Sequence, residues 1–242
     1  MSLEVHHLHL SQSERIVWLM EELKIPYDLH VHKRDPTSAL APAELKSINP
    51  FGTAPFFRDT KVSPPVELSE SGAIVEYILT VYGSSGATKL TRSPGDKAYA
   101  QYLQWLHFAN GSWQPVMSRN MTMMIAGLTD ENPFIGILKS RTGTALQLLD
   151  DRLAKSKYLA DDELSTADIM TVFSLTTMRG FYPKVDLSPY PNVLRYLKDV
   201  AARHGYQEAL RKGDFGMEPM IGAKVKGFTQ FPMFAKLLGE DN

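Results

Sequence analysis

Apolar positions along the chain first alternate between strand-like and helix-like spacing, then settle into helical spacing alone. Leu3 to Leu10 is a short β-compatible run. Ser11 to Leu23 then sets Ile16, Leu19, Met20 and Leu23 at helical intervals and leaves Glu14, Arg15, Glu21 and Glu22 for the solvent face. Ile25-Pro26 stops that helix, and Tyr27 to His32 reads as a second strand. Strand, helix and strand within about 30 residues make a βαβ unit, which implies a partly parallel sheet. A Pro- and Ala-rich stretch follows, with one short helix over Ala43 to Ile48. Asn49-Pro50-Phe51-Gly52 carries the residues of a type I turn. Ala54 to Arg58 and Pro65 to Leu68 are short strands, and Ser71 to Tyr82 is helical with Ile74, Ile78 and Leu79 facing inward.

Gly83 to Ser93 is rich in Gly, Ser and Thr and suits a linker. Beyond it the pattern predicts helices over Pro94 to Ala126, Pro133 to Ala154, Thr166 to Arg179 and Tyr190 to Lys212. Ser165-Thr166-Ala167-Asp168 before Ile169-Met170 is a helix-capping signature. The tail from Phe215 to Leu238 mixes Gly, Met and Phe without a period. The expected layout is an α/β domain over 1–82, a linker over 83–93 and an all-helical domain over 94–242 that ends in the irregular tail.

Composition narrows the chemistry. The 242 residues include 26 basic and 27 acidic ones, for a net charge of −1, and no block of like charge marks a nucleic-acid footprint. There is no cysteine, which excludes disulfides, thiolate metal sites and a cysteine nucleophile. Any thiol chemistry must use a thiol that arrives with the substrate. The first residues lack the pattern of a secretory signal, and no apolar run approaches the roughly 18 residues of a spanning helix, so a soluble, cytoplasmic protein is expected.

The most informative stretch is Leu10-Ser11-Gln12-Ser13-Glu14-Arg15, at a strand-to-helix junction. A helix start presents free amides and the positive end of a dipole, which favours an anion. Keeping a thiol ionised at neutral pH requires its pKa to fall by about two units from near 8.5, or roughly 2.7 kcal/mol. A hydrogen bond to the charged sulfur contributes about 1.5–3 kcal/mol and the helix end roughly 0.3–2. One hydroxyl plus the helix end suffices. Ser11 is the first candidate for that hydroxyl and Ser13 the second. The same residues spell a capping box with Ser11 as N-cap and Glu14 reaching back, and the two roles are compatible.

Further junctions add to this. Ala54-Pro55 opens a strand. Proline there marks a strand start or, as a cis bond, turns the Ala54 amide and carbonyl outward to pair with a peptide-like ligand; only about 5–6% of X-Pro bonds are cis, so the sequence alone leaves both open. Glu70-Ser71-Gly72-Ala73-Ile74 begins a helix, where Ser71 and the first amides suit a carboxylate and Glu70 an ammonium group, or Ser71 simply caps. The signals converge on a ligand that is zwitterionic at one end, peptide-like in the middle, and carries a thiol.

These motifs, in this order, resemble the glutathione transferase family. Ser11 four residues before Arg15 is similar to the catalytic serine of its serine-type classes; Asn49 to Pro55 is similar to its turn into a cis-proline; Glu70 to Ile74 resembles its γ-glutamyl motif; Ser165 to Asp168 resembles its capping box; and Leu40-Ala41-Pro42-Ala43-Glu44-Leu45 is similar to fungal and bacterial members. The resemblance runs from Leu3 to about Lys212 and implies a thioredoxin-like domain, a helical domain, a glutathione site on the first and a hydrophobic co-substrate site between the two. It further implies a homodimer, with glutathione as co-substrate and no metal. By position, Ser11 activates the thiol, Ala54 pairs by its backbone with the cysteinyl part, Thr53 and Pro55 belong to the same glutathione site, and Glu70 and Ser71 hold the γ-glutamyl end. Thr53 stands where such members commonly carry lysine, which removes an expected contact to the glycyl carboxylate and leaves Lys46 or Arg34 to replace it.

Phe108, Trp113, Met117, Met121 and Met124 follow near-helical spacing, as core or dimer contact, or as walls of an apolar co-substrate site suited to adaptable methionines. His7-x-His9 and His30-x-His32 have zinc-compatible spacing on strands, but no carboxylate or cysteine is set to complete a site, so no metal is expected. The implied activity is attack of the glutathione thiolate on hydrophobic electrophiles, with organic peroxides and disulfides within reach of the same thiol. The alternative from another class is a transferase-like fold kept as a non-catalytic binding or assembly module, which the threonine at position 53 permits.

Overall fold

Leu3 and Val5 of strand β1 (Leu3–Leu8) are fully buried, as befits an inner strand. A computed structural model describes residues 1–49, 51–83 and 89–239. β2 (Asp28–His32) pairs with β1 in parallel, Val5 opposite Leu29, after the crossover helix α1 (Glu14–Leu23). β3 (Phe56–Asp59) pairs with the other side of β1 in antiparallel fashion, Val5 opposite Phe57, and β4 (Val66–Leu68) closes the order β2-β1-β3-β4. The short helix α2 (Ala43–Ile48) brings Leu45 against Leu8 and Ala54, and α3 (Ser71–Val81) packs on α1. This is the expected thioredoxin-like α/β arrangement.

Two compact units make up the chain: residues 1–90 with 201–219, and residues 91–200 with 220–242. The second is helical, with α4 (Tyr99–Phe108), a π-helical turn (Ala109–Trp113), α5 (Gln114–Ile125), α6 (Pro133–Leu153), α7 (Thr166–Leu175), a 3-10 turn (Thr177–Gly180) and α8 (Pro191–Ala201). The α7 capping box forms, with the Asp168 carboxylate accepting from the Ser165 amide at 2.8 Å. The tail is not wholly irregular: α10 (Pro232–Leu238) forms, and Phe228 and Phe234 set their rings edge-on to Phe181. Much of the expected 83–93 linker, residues 84–88, lies outside the described residues.

Two sequence expectations are corrected by one contact. The predicted helix from Tyr190 to Lys212 is two helices, because Arg203 is extended and a new helix, α9 (His204–Gly213), starts after it. α9 packs along α1 within the first unit, so residues 201–219 leave the expected 94–242 domain. Glu14, Arg15 and Glu22, which the helical pattern assigns to solvent, are all buried, and for Glu22 the cover comes from this packing. Glu22 accepts two hydrogen bonds from the Arg203 guanidinium, both at 2.8 Å, and one from Trp18 Nε1 at 2.9 Å. A Cβ at 205 would lie 2.8 Å from Glu22 Cδ, so a larger residue there would have to displace the Glu22 carboxylate.

At the foot of β3, buried Asp59 accepts from Tyr77 Oη at 2.8 Å, from the Lys61 amide at 2.8 Å and from Tyr82 Oη. Burial pushes its carboxyl up, but these bonds outweigh it and hold the pKa below the ordinary value. A depressed folded pKa gives stability that is complete at neutral pH and is lost as pH falls below about 4. Asp59→Asn is therefore expected to flatten the acid limb of a Tm-against-pH curve while leaving the slope from pH 5 to 7 unchanged. Among the described residues no helix is long and apolar enough to cross a membrane.

Candidate active site

The chain leaves β1 through Leu10, which takes a left-handed backbone with φ of 57°. A non-glycine residue holds that conformation only where its surroundings enforce it. Here the Leu10 amide donates to Asp214 Oδ1 at 2.7 Å and its carbonyl accepts from Arg34 Nη2 at 2.9 Å. Arg34 also donates to the carbonyls of His9 and Ala39, at 2.9 and 2.7 Å, so its guanidinium fixes this bend rather than facing a ligand.

Ser11 follows the bend, three residues before α1 begins at Glu14. The expected side-chain capping box is not formed: the Glu14 amide bonds the Ser11 carbonyl at 3.0 Å, and Ser13 at the cap position makes no side-chain capping bond. The hydroxyls are turned to another use. Ser11 Oγ lies 2.6 Å from Ser13 Oγ and accepts from the Ser13 amide at 3.2 Å. Ser13 Oγ accepts from the Leu8 amide at 3.0 Å and lies 2.9 Å from His7 Nδ1. His7 Nε2 lies 3.3 Å from Asp214 Oδ1. Two serines, an imidazole and a carboxylate thus form one buried line. Ser13, His7 and the Asp214 side chain have no exposed surface, whereas Ser11 retains 5%. Of the two serines, Ser11 is the one at the open end.

Burial pushes the Asp214 carboxyl up, but the His7 hydrogen bond and charge and the Leu10 amide outweigh it and hold it below the ordinary carboxylate range. Its Oδ2 is buried and has no hydrogen-bond partner among the described residues. An ionised, half-satisfied carboxylate is a strong inducement for a cation beside it.

Gln12 ties this segment to the next, its Nε2 donating to the Ala54 carbonyl at 3.2 Å. The Ala54-Pro55 bond is cis. The turn before it is closed by the Gly52 amide on the Asn49 carbonyl at 2.7 Å; Pro50, its second residue, lies outside the described residues. Asn49 Nδ2 donates to the Thr53 carbonyl at 2.7 Å, leaving the Thr53 side chain exposed. Lys46 runs beside the turn, with Cγ at 3.1 Å and Cε at 3.7 Å from where a Gly52 Cβ would stand. Exposed Glu70 precedes α3, and buried Ser71 is its first residue.

The two strand pairs weighed for zinc do not meet at one point, although Glu4, unforeseen from the sequence, sets a carboxylate oxygen within 4.8 Å of ring nitrogens of His6 and His30. His7 and His9 both approach Asp214, while His6 stacks on His30 at 4.5 Å and bonds His32 at 3.0 Å. In the second unit Trp113 and Met117 have no exposed surface, so they are core and cannot wall an open co-substrate site. Phe108 and Met121 stay partly exposed.

Sequence comparison accords with this arrangement. Residues 11–81 match the family model described as glutathione S-transferase, N-terminal domain, and residues 122–204 that of its C-terminal domain. Glutathione S-transferase 3 of Schizosaccharomyces pombe is 30% identical over 223 residues, 86% of each chain. Glutathione S-transferase 1 of Saccharomyces cerevisiae is 28% identical, covering 87% of this chain and 94% of its own. Among solved structures, a glutathione S-transferase from Actinobacillus pleuropneumoniae superposes with a TM-score of 0.75 at 27% identity, covering 88% of this chain and 94% of the other. One from Burkholderia graminis, with two glutathione molecules bound per subunit, gives 0.70 at 25% identity, over 86% and 87% of the two chains. The chain belongs to the glutathione S-transferase family.

Sequence reasoning missed His7 and Asp214 as partners of the serines, and Gln12 as the tie to Ala54. His7 carried a signal only in its strand alternation; Asp214, 207 residues away, carried none.

Proposed function

We propose that this chain binds glutathione on its first unit and holds the thiol as a thiolate at Ser11, for attack on hydrophobic electrophiles. The observation that carries this reading is the Ser11 hydroxyl, the open end of a buried hydrogen-bond line just ahead of α1. The Ala54 carbonyl already accepts from Gln12 and has a second lone pair for the cysteinyl amide, while its own amide suits the cysteinyl carbonyl. Glu70 and Ser71 at the start of α3 suit the γ-glutamyl ammonium and carboxylate. Organic peroxides are a second class of acceptor: the thiolate attacks the O–O bond, an alcohol leaves, and a second glutathione reduces the sulfenic acid to water and disulfide. Phe108 and Met121 are the apolar residues left for co-substrate contact. A homodimer fits the exposure of Phe51 at 82% and Phe134 at 59%, and a cytoplasmic setting fits the thiol.

Calorimetric titration with glutathione, paired with a conjugation assay on an activated aryl chloride, tests the reading. A saturable heat and a conjugate are expected. No heat at millimolar glutathione and no conjugate favour the non-catalytic binding module instead.

The path of Lys46 along the turn supports it, rather than the occupied Arg34, as partner of the glycyl carboxylate. An exposed ion pair is worth about 0.2–1 kcal/mol, so Lys46→Ala is expected to raise the glutathione Kd by up to about fivefold. The same titration at high salt should erase that difference.

A further inference from the structure

We propose that His7 receives the proton of the bound thiol, relayed through Ser11 and Ser13, and that Asp214 holds the imidazole ready for it. This rests on the thiol reading above and adds the fate of its proton.

The argument is one of hydrogen-bond satisfaction. Ser13 Oγ has one proton and two lone pairs, and the Leu8 amide occupies one of the pairs. What remains is one O–H and one lone pair for two neighbours, His7 Nδ1 at 2.9 Å and Ser11 Oγ at 2.6 Å. Only two arrangements satisfy both. In the first, Ser13 donates to a bare Nδ1 and Ser11 donates to Ser13. Ser11 then keeps one lone pair, since the Ser13 amide takes the other, and can only accept from a ligand. In the second, His7 Nδ1–H donates to Ser13, Ser13 donates to Ser11, and the Ser11 proton is free to point outward. The first suits a thiol and the second a thiolate.

The carboxylate decides when each occurs. An ionised Asp214 3.3 Å from Nε2 requires a proton on Nε2 in both arrangements, since a bare nitrogen there would face an anion. The first arrangement is therefore a neutral imidazole and the second an imidazolium. A Ser11 hydroxyl free to donate to sulfur thus implies a protonated His7.

Thiol ionisation moves between them without a net change in protons. The S–H bond breaks and sulfur keeps its electron pair; its proton goes to Ser11 Oγ, the Ser11 proton to Ser13 Oγ, and the Ser13 proton to His7 Nδ1. The imidazolium forms against a carboxylate whose Oδ2 has no other partner among the described residues. When the thiolate has been consumed, the surplus proton returns along the same line to water. His7, Ser13 and Asp214 are positioning residues: none of them touches sulfur.

Other charges face the imidazole. His9 Nε2 lies 3.9 Å from the same Asp214 oxygen; Arg34 and Lys33 act on this cluster from the segment after β2, and His32 acts from β2 itself. At the start of α1, Ser13 meets His7 Nδ1, and the buried Glu14 and Arg15 follow it. Asp214 is the carboxylate set against Nε2, so it is the group to remove.

Nitrogen-15 NMR of the unliganded protein reads the tautomer directly, with Nε2–H and bare Nδ1 expected for His7. The opposite tautomer overturns the relay. In the holo state, Asp214→Asn keeps an acceptor for the Leu10 amide but removes the charge, and Ser13→Ala breaks the line. Each is expected to raise the pKa of bound glutathione by about one unit, a tenfold loss of thiolate below that pKa, with Kd within about twofold of wild type. Rates should converge with wild type above pH of about 8.5, where the free thiol ionises unaided, which a loss of packing would not allow. A loss that is equal at every pH, or an unchanged profile in both folded variants, overturns the proposal. Wild type that conjugates normally while the variants keep its profile sinks the relay alone. Wild type with neither heat nor conjugate sinks the thiol reading beneath it.

Discussion

Replacing Ser11 with alanine lowers kcat/KM for conjugation by about 10- to 150-fold, the equivalent of one hydrogen bond to a charged group at roughly 1.5–3 kcal/mol. Ser11 is the one hydroxyl of the line with any exposed surface, so no neighbour can take over its contact with sulfur. The pKa of bound glutathione rises by about one to two units in the same variant, since each unit is worth about 1.4 kcal/mol. The sign fixes the pH dependence: the deficit is full at pH 6, where the variant holds almost no thiolate, and shrinks as pH rises through the variant's own thiol pKa. Stopped-flow rates with glutathione near saturation, together with ultraviolet absorbance of the bound thiolate, measure both quantities. Ser11→Thr keeps an oxygen in place and should restore part of the rate. Unchanged rates and an unchanged thiol pKa in Ser11→Ala would remove Ser11 as activator, and buried Ser13 could not replace it without movement of the bend at Leu10.

Local signals made the front of this site legible. The strand, the helix and the serines between them follow from residues less than thirty apart, and the Asn49 to Pro55 turn and the Glu70-Ser71 junction are equally local. What lies behind the serines was not legible, because it depends on α9. The helical pattern places Glu22 in water only if nothing covers that face of α1. The cover comes from residues 181 or more positions away: Arg203 on Glu22, and Asp214 on His7 and Leu10. No periodicity records such a pairing. The break that frees α9 falls at extended Arg203, whose ion-pair partner Glu22 is likewise 181 positions away. The capping reading of Ser11 to Glu14 failed for a related reason: the hydroxyls found better partners in His7 and in each other than the helix amides could offer.

A second large effect is expected far from the chemistry, at the start of α7. Asp168 is fully buried and accepts from the Leu159 amide at 2.8 Å, the Ser165 amide at 2.8 Å, Ser165 Oγ at 2.9 Å and Tyr196 Oη at 3.1 Å. One carboxylate thereby joins the loop before α7, the helix cap and α8. Asp168→Ala strands these donors where water cannot reach them, and each such loss is worth about 1–3 kcal/mol. The losses share one group and do not add fully, so a total of about 3–5 kcal/mol is expected, or a Tm fall of roughly 6–20 °C at this chain length. Asp168→Asn is little better, because an amide NH2 then faces either the Ser165 amide or the Leu159 amide. Ser165→Ala removes one donor with its partner's bond and should destabilise by about 1 kcal/mol, typical of a lost cap. Urea midpoints followed by tryptophan fluorescence rank the variants, since Trp105 and Trp113 report from the same unit. A shift below about 1 kcal/mol in Asp168→Ala would mean that water or a rearranged loop satisfies those amides, and that the carboxylate is not what holds the loop, the cap and α8 together.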